Sequence, residues 1–113
     1  MRKISLLAGI FLLLVSCAEP SVVGSWVQPV PGMENQIQGI KLEKGGKASS
    51  INMHTLVYQS WKQEGNKLIL GGESIGNDQT IQFSEDFEIV FPDKDTLVLK
   101  RDGVELTYNR QRE

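Results

Sequence analysis

The stretch IQGIKLEKGGKASSIN, residues 37–52, decides the fold of this chain. Apolar Ile40 and Leu42 alternate with charged Lys41 and Glu43, and a Gly-Gly pair follows immediately. Alternation with a period of two is typical of a half-buried strand, and a Gly-Gly pair between two such runs indicates a hairpin turn. The stretch therefore predicts two antiparallel strands joined by a tight turn.

The same pattern repeats along the rest of the chain. Gly65-Asn66 and Asp102-Gly103 each separate two further alternating runs. Residues 80–91, TIQFSEDFEIVF, keep five apolar side chains in one phase, and because Glu85 shares that phase we expect a bulge or turn at residues 84–86. Short strands joined by hairpins are typical of antiparallel barrels, in which closure removes exposed sheet edges. We predict an all-β, up-and-down antiparallel barrel of about eight strands.

The residues WVQPVPGMENQ, 26–36, interrupt this regular pattern. Pro29 and Pro31 lack the N–H group that a central strand must donate to its neighbour. We therefore expect a loop over residues 26–36 that crosses one end of the barrel, with residues 29–33 as a candidate lid.

The first and last strands carry a family resemblance. Gly24-Ser25-Trp26 opens the first strand, and Arg110 follows Leu106 and Tyr108 in one phase on the last. This pattern resembles the lipocalin-like domains of bacterial lipoproteins over residues 22–113. The resemblance implies that Trp26 packs under Arg110 and closes the barrel, a cation–π contact worth about 0.5–2 kcal/mol. The chain is short for a lipocalin, so we expect a smaller interior.

Two interpretations of the barrel interior remain open. Eight strands enclose a space that side chains can fill, or that holds one small ligand. The predicted interior positions are Ile40, Leu42, Ile51, Met53, Leu68, Leu70, Ile81, Phe83, Phe87, Ile89, Phe91, Leu97, Leu99, Leu106 and Tyr108.

The first functional hypothesis is a binding protein for a small apolar or amphipathic molecule. Met53, Tyr58 and Phe83 are its candidate ligand-lining residues at the open end of the barrel. The alternative is a barrel with a solid core that contacts another envelope protein or inhibits a hydrolase. Tyr58 and Trp61 are an odd number of residues apart, so strict alternation leaves one of them exposed as a contact patch.

The N-terminus has the features of an export signal. Arg2 and Lys3 precede the apolar run 4–15, and as a helix those twelve residues reach only about 18 Å, too short for a hydrocarbon core about 30 Å thick. The run ends in LVSC, residues 14–17, which resembles the bacterial lipobox.

The lipobox resemblance implies a boundary and an anchor. Residues 1–16 would be the signal peptide, and Cys17 would receive a diacylglycerol on its thiol and a fatty chain such as palmitate on its amine. Residues 17–21 would form a lipidated tether. Residue 18 is not Asp, which implies the outer membrane of the cell envelope; whether the protein faces the periplasm or the surface stays open.

Composition argues against several other functions. Without Arg2 and Lys3 the chain has ten basic and fourteen acidic residues, which disfavours nucleic acid and electrostatic binding to anionic lipid. The charges look dispersed along the sequence. His54 is the only histidine and Cys17 the only cysteine, so we expect no metal, no cofactor and no catalytic residues. The oligomeric state stays open.

Overall fold

The computed structural model describes residues 20–112, which form one closed barrel of eight antiparallel strands. Each strand pairs with the next in the chain, and the last pairs with the first. The predicted up-and-down barrel is confirmed. The strands are β1 Gly24–Val30, β2 Met33–Glu43, β3 Lys47–Ile51, β4 Leu56–Glu64, β5 Lys67–Gly76, β6 Gln79–Asp93, β7 Thr96–Arg101 and β8 Val104–Arg110.

The up-and-down order gives the barrel two different ends. The connections 43–47, 64–67 and 93–96 lie at one end, where residues 20–24 also enter β1, and we call this the closed end. The connections 30–33, 51–56, 76–79 and 101–104 lie at the other end, which we call the mouth. Within residues 20–112, no helix has the length and apolar character needed to cross a membrane.

The half of the barrel next to the closed end is filled with side chains. Burying an aliphatic or aromatic side chain contributes about 1.5–3 kcal/mol, so this cluster supplies most of the hydrophobic stabilisation. Its largest fully buried members, from alternate positions of the strands and the residues before them, are Val22, Trp26, Ile40, Leu42, Leu68, Leu70, Leu97 and Leu99.

Most of the predicted interior positions are buried or half-buried, and Ile81 is the exception. It is 58% exposed, so its assignment to the interior was wrong. Ladder pairing between β6 and β7 begins only at Glu88, whereas β6 continues to Gln79 beside β5. Ile81 therefore lies on a hairpin that extends beyond the rim of the barrel.

The bulge expected at residues 84–86 is also absent. β6 pairs with β5 without a shift in register from Gln79 to Glu88. Glu85 therefore keeps the inward phase of its apolar neighbours, where its carboxylate meets Arg101 at 3.4 Å. A charged side chain can face the interior when it is paired with an opposite charge, so Glu85 needs no bulge to turn it outward.

The loop predicted over residues 26–36 was wrong. β1 continues to Val30, and β2 begins at Met33, after a tight turn at Pro31-Gly32. Beyond Val27, β1 has no ladder partner on its β8 side, and an edge of this kind is where a strand tolerates a proline such as Pro29. Residues 29–33 are therefore a strand end and a turn, and they do not form a lid.

The exposed aromatic residue predicted on β4 does not exist. The register between β4 and β5 shifts between Tyr58 and Ser60, so the alternation changes phase at Gln59. Tyr58 is buried, and Trp61 packs against the core as a half-buried residue and donates its indole N–H to the Glu43 carbonyl at 2.8 Å. Both rings face the interior.

Candidate functional site at the barrel mouth

The closed end is sealed by Trp26 and Arg110. The Arg110 guanidinium lies 4.3 Å from the centroid of the Trp26 ring, which is completely buried. Arg110 also donates to the carbonyl oxygens of Val23 at 3.2 Å and Lys94 at 3.0 Å, and the Trp26 indole N–H donates to the Val22 carbonyl at 2.8 Å. These contacts fix the entering chain across this end and cover Trp26, so the plug separates the core from the two surface pockets that lie beside Val23 at this end.

The interior is open at the mouth. A pocket of about 270 Å³ lies there, between the ends of β6, β7 and β8. Apolar side chains form its inner wall and charged side chains its edge. The lining residues are Glu85, Phe87, Arg101, Asp102, Val104 and Leu106.

Two tyrosines from opposite sides of the barrel add the polar groups of the interior. Tyr58 on β4 is 7% exposed and Tyr108 on β8 is 5% exposed, and both belong to the core cluster. Within residues 20–112, neither hydroxyl forms a hydrogen bond with another group of the protein. A buried hydroxyl without a partner costs about 1–3 kcal/mol, so a guest molecule that donated to or accepted from either hydroxyl would recover part of that cost.

Glu85 and Arg101 set the charge of the mouth. Arg101 contacts the Glu85 carboxylate at 3.4 Å and the Asp102 carboxylate at 3.9 Å, and its guanidinium lies 6.0 Å from the centre of the Phe87 ring. The Glu85 side chain is 34% exposed, which places the pair at the boundary between the interior and solvent. One cation thus serves two acidic groups.

The hydroxyls of both tyrosines have raised pKa values. Burial, together with the smaller effect of the negative charge of Glu85, raises the pKa of Tyr108 to about 12. Burial also raises the pKa of Tyr58, helped by the charges of Tyr108 and Glu85. Both phenols are therefore neutral at physiological pH and can donate or accept a hydrogen bond.

One side of the mouth is only loosely closed. β3 and β4 share a single ladder pair, Lys47 with Ser60, near the closed end. Closer to the mouth the Ser50 hydroxyl replaces the ladder, since it accepts from the Tyr58 N–H at 2.9 Å and donates to the Leu56 carbonyl at 2.6 Å. We call this hydroxyl-bridged gap the β3–β4 seam.

The structure places the three candidate ligand-lining residues around the mouth. Phe83 lies edge-on to Tyr58, with ring centroids 5.9 Å apart. Met53 is half-buried in the connection between β3 and β4 and packs against the core. Cys17 lies outside the described residues.

Sequence reasoning missed the charged and phenolic part of the site. Arg101 and Tyr108 were not considered as ligand contacts, and Glu85 was interpreted as the sign of a bulge. Glu85 shares its phase with Phe83 and Phe87, and this pattern could have indicated that the Glu85 side chain faces the interior. Within residues 20–112, no three His, Cys, Asp or Glu side chains come together as a metal site.

A closed up-and-down barrel that is plugged at one end and open at the other defines a lipocalin-type protein. The family model described as lipocalin-like matches residues 18–111, and the chain belongs to this family. The chain is also similar to a lipocalin-like protein from Bacteroides thetaiotaomicron with a solved crystal structure, at 61% identity over 81% of this chain and 98% of that chain, with a TM-score of 0.76. No curated protein matches significantly.

The predicted resemblance to lipocalin-like proteins is confirmed by these comparisons. Families with this fold typically consist of binding proteins without catalytic activity, so the fold suggests a binding role for this chain.

Proposed function

We propose that this protein binds a small amphipathic molecule in the mouth of its barrel and does not act on it chemically. The observation that carries the proposal is the pair of buried hydroxyls, Tyr58 and Tyr108, that have no partner within residues 20–112. Both tyrosines belong to the core cluster that also includes Phe87 and against which Leu106 packs, and these two residues line the pocket. Small-molecule sites combine hydrophobic burial with a few convergent polar groups.

The size of the pocket limits the ligand. A volume of about 270 Å³ is slightly below the range of about 300–1,000 Å³ that is usual for small-molecule sites. The polar group and the adjoining part of a hydrocarbon chain fit inside the pocket. The rest of the chain would contact the exposed apolar side chains at the rim, which are Met33, Ile37, Ile75, Ile81 and Val104.

The proposal is tested by binding measurements on two hydroxyl-deletion variants. Tyr58→Phe and Tyr108→Phe keep the rings and remove the polar atoms. We expect each variant to weaken an amphipath that stabilises the native protein in a thermal-shift screen by about 5- to 10-fold, the worth of one hydrogen bond of about 1 kcal/mol or slightly more. Trp61→Phe, which changes an aromatic residue far from the mouth, is the matched control. No thermal shift with any amphipath would refute the proposal.

The second candidate function is an interaction module, and the apolar rim is the observation that favours it. Ile75 and Ile81 are 41% and 58% exposed on the hairpin between β5 and β6, in a position to contact another protein. The double variant Ile75→Ser/Ile81→Ser distinguishes the two functions. If the rim serves a protein partner, this variant loses crosslinks to envelope proteins; if the rim serves the ligand tail, it loses ligand affinity.

We also propose that Cys17 anchors the domain to the outer membrane through its lipid. Two observations support this: the LVSC pattern at residues 14–17, and a family match that begins at residue 18, directly after the cysteine. Two or more acyl chains give stable attachment where one is marginal. Metabolic labelling with a clickable fatty acid tests the anchor, and Cys17→Ser is the control. An unlabelled native protein in the aqueous fraction would contradict it.

A further inference from the structure

The charged groups at the mouth identify the polar part of the ligand. We infer that the mouth selects an amphipathic molecule whose head group is positively charged, an amine or a quaternary ammonium, and disfavours one that carries a carboxylate. This inference rests on the proposed binding function.

Glu85 brings a negative charge into the mouth. Its neighbours in phase on β6, Phe83 and Phe87, are apolar and face the interior, so Glu85 points a carboxylate into the same space. The pocket that it lines also contains Asp102, and the only cation in its lining is Arg101. The lining of the pocket is therefore negative overall.

Arg101 is already paired and is not free to receive an anion. It contacts Glu85 and Asp102, and its guanidinium faces the Phe87 ring. A carboxylate ligand would have to compete with two carboxylates that the protein holds in place. The other basic residue near the mouth, Lys100, is paired with Glu105 at 3.6 Å.

Aromatic rings also lie in the barrel interior near these charged groups. Tyr58 and Phe83 meet edge to face, and Tyr108 lies in the same core cluster. The faces of aromatic rings attract cations, and a phenol oxygen can accept a hydrogen bond from an ammonium N–H. The pKa values of both hydroxyls are raised mainly by burial, and the negative charge of Glu85 adds to the rise in each.

The test compares three amphipaths that share one hydrocarbon chain. Decyltrimethylammonium, decanol and decanoate are titrated below their critical micelle concentrations into the full-length protein, and binding is followed by calorimetry. We expect the cation to bind about tenfold more tightly than decanoate, with decanol between them, because the net negative lining of the pocket attracts an ammonium and repels a carboxylate.

Three variants make the test specific. Glu85→Gln should bring the affinities for the cation and the anion close together, whereas Arg101→Gln, which frees the same carboxylate, should separate them further. Asp86→Asn removes an equal charge from the adjacent, outward-facing position and should leave the preference unchanged. Circular dichroism verifies that each variant is folded.

The possible outcomes separate this inference from the proposed function. Equal affinity for the three molecules, or tighter binding of decanoate, overturns the inference and leaves a binding protein of different selectivity. A preference that stays unchanged in Glu85→Gln, or that becomes smaller in Arg101→Gln, also overturns it, because the selecting charge would then not be the Glu85 carboxylate. If none of the three molecules binds, the proposed function is itself refuted for single-chain amphipaths.

Discussion

At the scale of single residues, the two tyrosines give the most direct test of the electrostatics of the mouth. They are the only tyrosines in the chain, so the ultraviolet absorbance of tyrosinate reports on the barrel interior alone. We predict that the urea-unfolded chain titrates near the ordinary pKa of 10.0, while Tyr108 in the folded protein titrates near 12 and Tyr58 above its ordinary value as well. Superimposable folded and unfolded titrations would contradict the burial of both rings.

The same groups set a pH dependence of stability. Because the folded state holds the hydroxyl protons more tightly than the unfolded state, their contribution to the free energy of unfolding is fully present below pH 10 and falls as the pH rises toward 12. Urea denaturation across this range measures the effect. In Tyr108→Phe the free energy of unfolding should decrease less over this pH range, because only one of the two titrating hydroxyls remains.

Arg110 makes a different kind of residue-scale prediction. Arg110→Met keeps the length of the side chain but loses the stacking on Trp26 and the bonds to Val23 and Lys94. We expect a loss of about 2–3 kcal/mol in urea denaturation. Arg112→Met is the matched control. Arg112 pairs with Asp95 at 2.8 Å, but the Arg112 side chain is 73% exposed. Exposed pairs contribute about 0–1 kcal/mol, so equal losses in the two variants would rule out a structural plug.

At the scale of strands, the close approach of β1 and β2 depends on Gly39. A Cβ atom on this residue would overlap the carbonyl oxygen of Trp26 across the ladder. We predict that Gly39→Ala lowers the free energy of unfolding by about 3 kcal/mol, because backbone of two paired strands must move.

The control for this substitution is Gly76→Ala at the end of β5. No atom lies within 4 Å of a Cβ placed there. The added methyl group should leave stability unchanged or raise it by up to about 1 kcal/mol through the entropy of the unfolded chain. If Gly39→Ala is equally harmless, the β1–β2 approach described here is incorrect.

Strands and hairpins were predictable because their signals are local. Residues 37–52 contain both the alternation and the Gly-Gly turn, and the structure has the two strands and the turn there. The errors occurred where the partner strand decides the outcome. The shift at Gln59 follows from pairing with β5, and strand structure at Pro29 is possible because β1 lacks a β8 partner at that point. Neither condition can be read from the local sequence.

The same reason explains which part of the site was predictable. The apolar lining follows from phase, so Phe83 was identified from the sequence. The ion pair between Glu85 and Arg101 depends on where the β6–β7 ladder ends. Tyr58 and Tyr108 belong to one core cluster only because the barrel closes. Contacts between residues far apart in the chain need the complete topology.

The β3–β4 seam gives the second strand-scale prediction. Ser50→Ala removes the hydroxyl that joins the Tyr58 N–H to the Leu56 carbonyl, and a buried unpaired group costs about 1–3 kcal/mol. We expect faster hydrogen exchange at the Tyr58 amide, measured by NMR. Ser49→Ala, on the neighbouring position that pairs with Lys41, should leave that exchange rate unchanged. Unchanged exchange in Ser50→Ala would mean that other bonds hold the seam closed.

At the scale of the whole molecule, the charges are segregated along the barrel axis and are not dispersed as the sequence suggested. Of the ten basic residues within 20–112, only Lys100 and Arg101 lie in the half next to the mouth. Acidic residues outnumber them there, as Glu34, Glu73, Asp78, Glu85, Asp102 and Glu105. The net negative charge of the chain therefore conceals a basic closed end.

The basic closed end and the proposed lipid anchor together favour one orientation of the barrel on the membrane. The chain enters the barrel at the closed end, and the three residue steps from Cys17 to Pro20 span at most about 11 Å, so a lipid on Cys17 would hold the closed end near the bilayer. The basic side chains at that end would face anionic head groups, each worth about 1 kcal/mol near the surface. The mouth would then face away from the anchoring membrane.

We predict this orientation for the lipidated full-length protein in vesicles containing anionic lipid. A fluorophore at Asn66→Cys, in the closed-end turn between β4 and β5, should be quenched by lipids with a nitroxide head group. A fluorophore at Gln79→Cys, beside the mouth, should remain bright, since the ten-residue strand β5 between them spans about 30 Å. Neutral vesicles or high salt should reduce the contrast by screening the basic end. Stronger quenching at residue 79 would instead place the mouth on the bilayer, and the ligand would then come from the membrane itself.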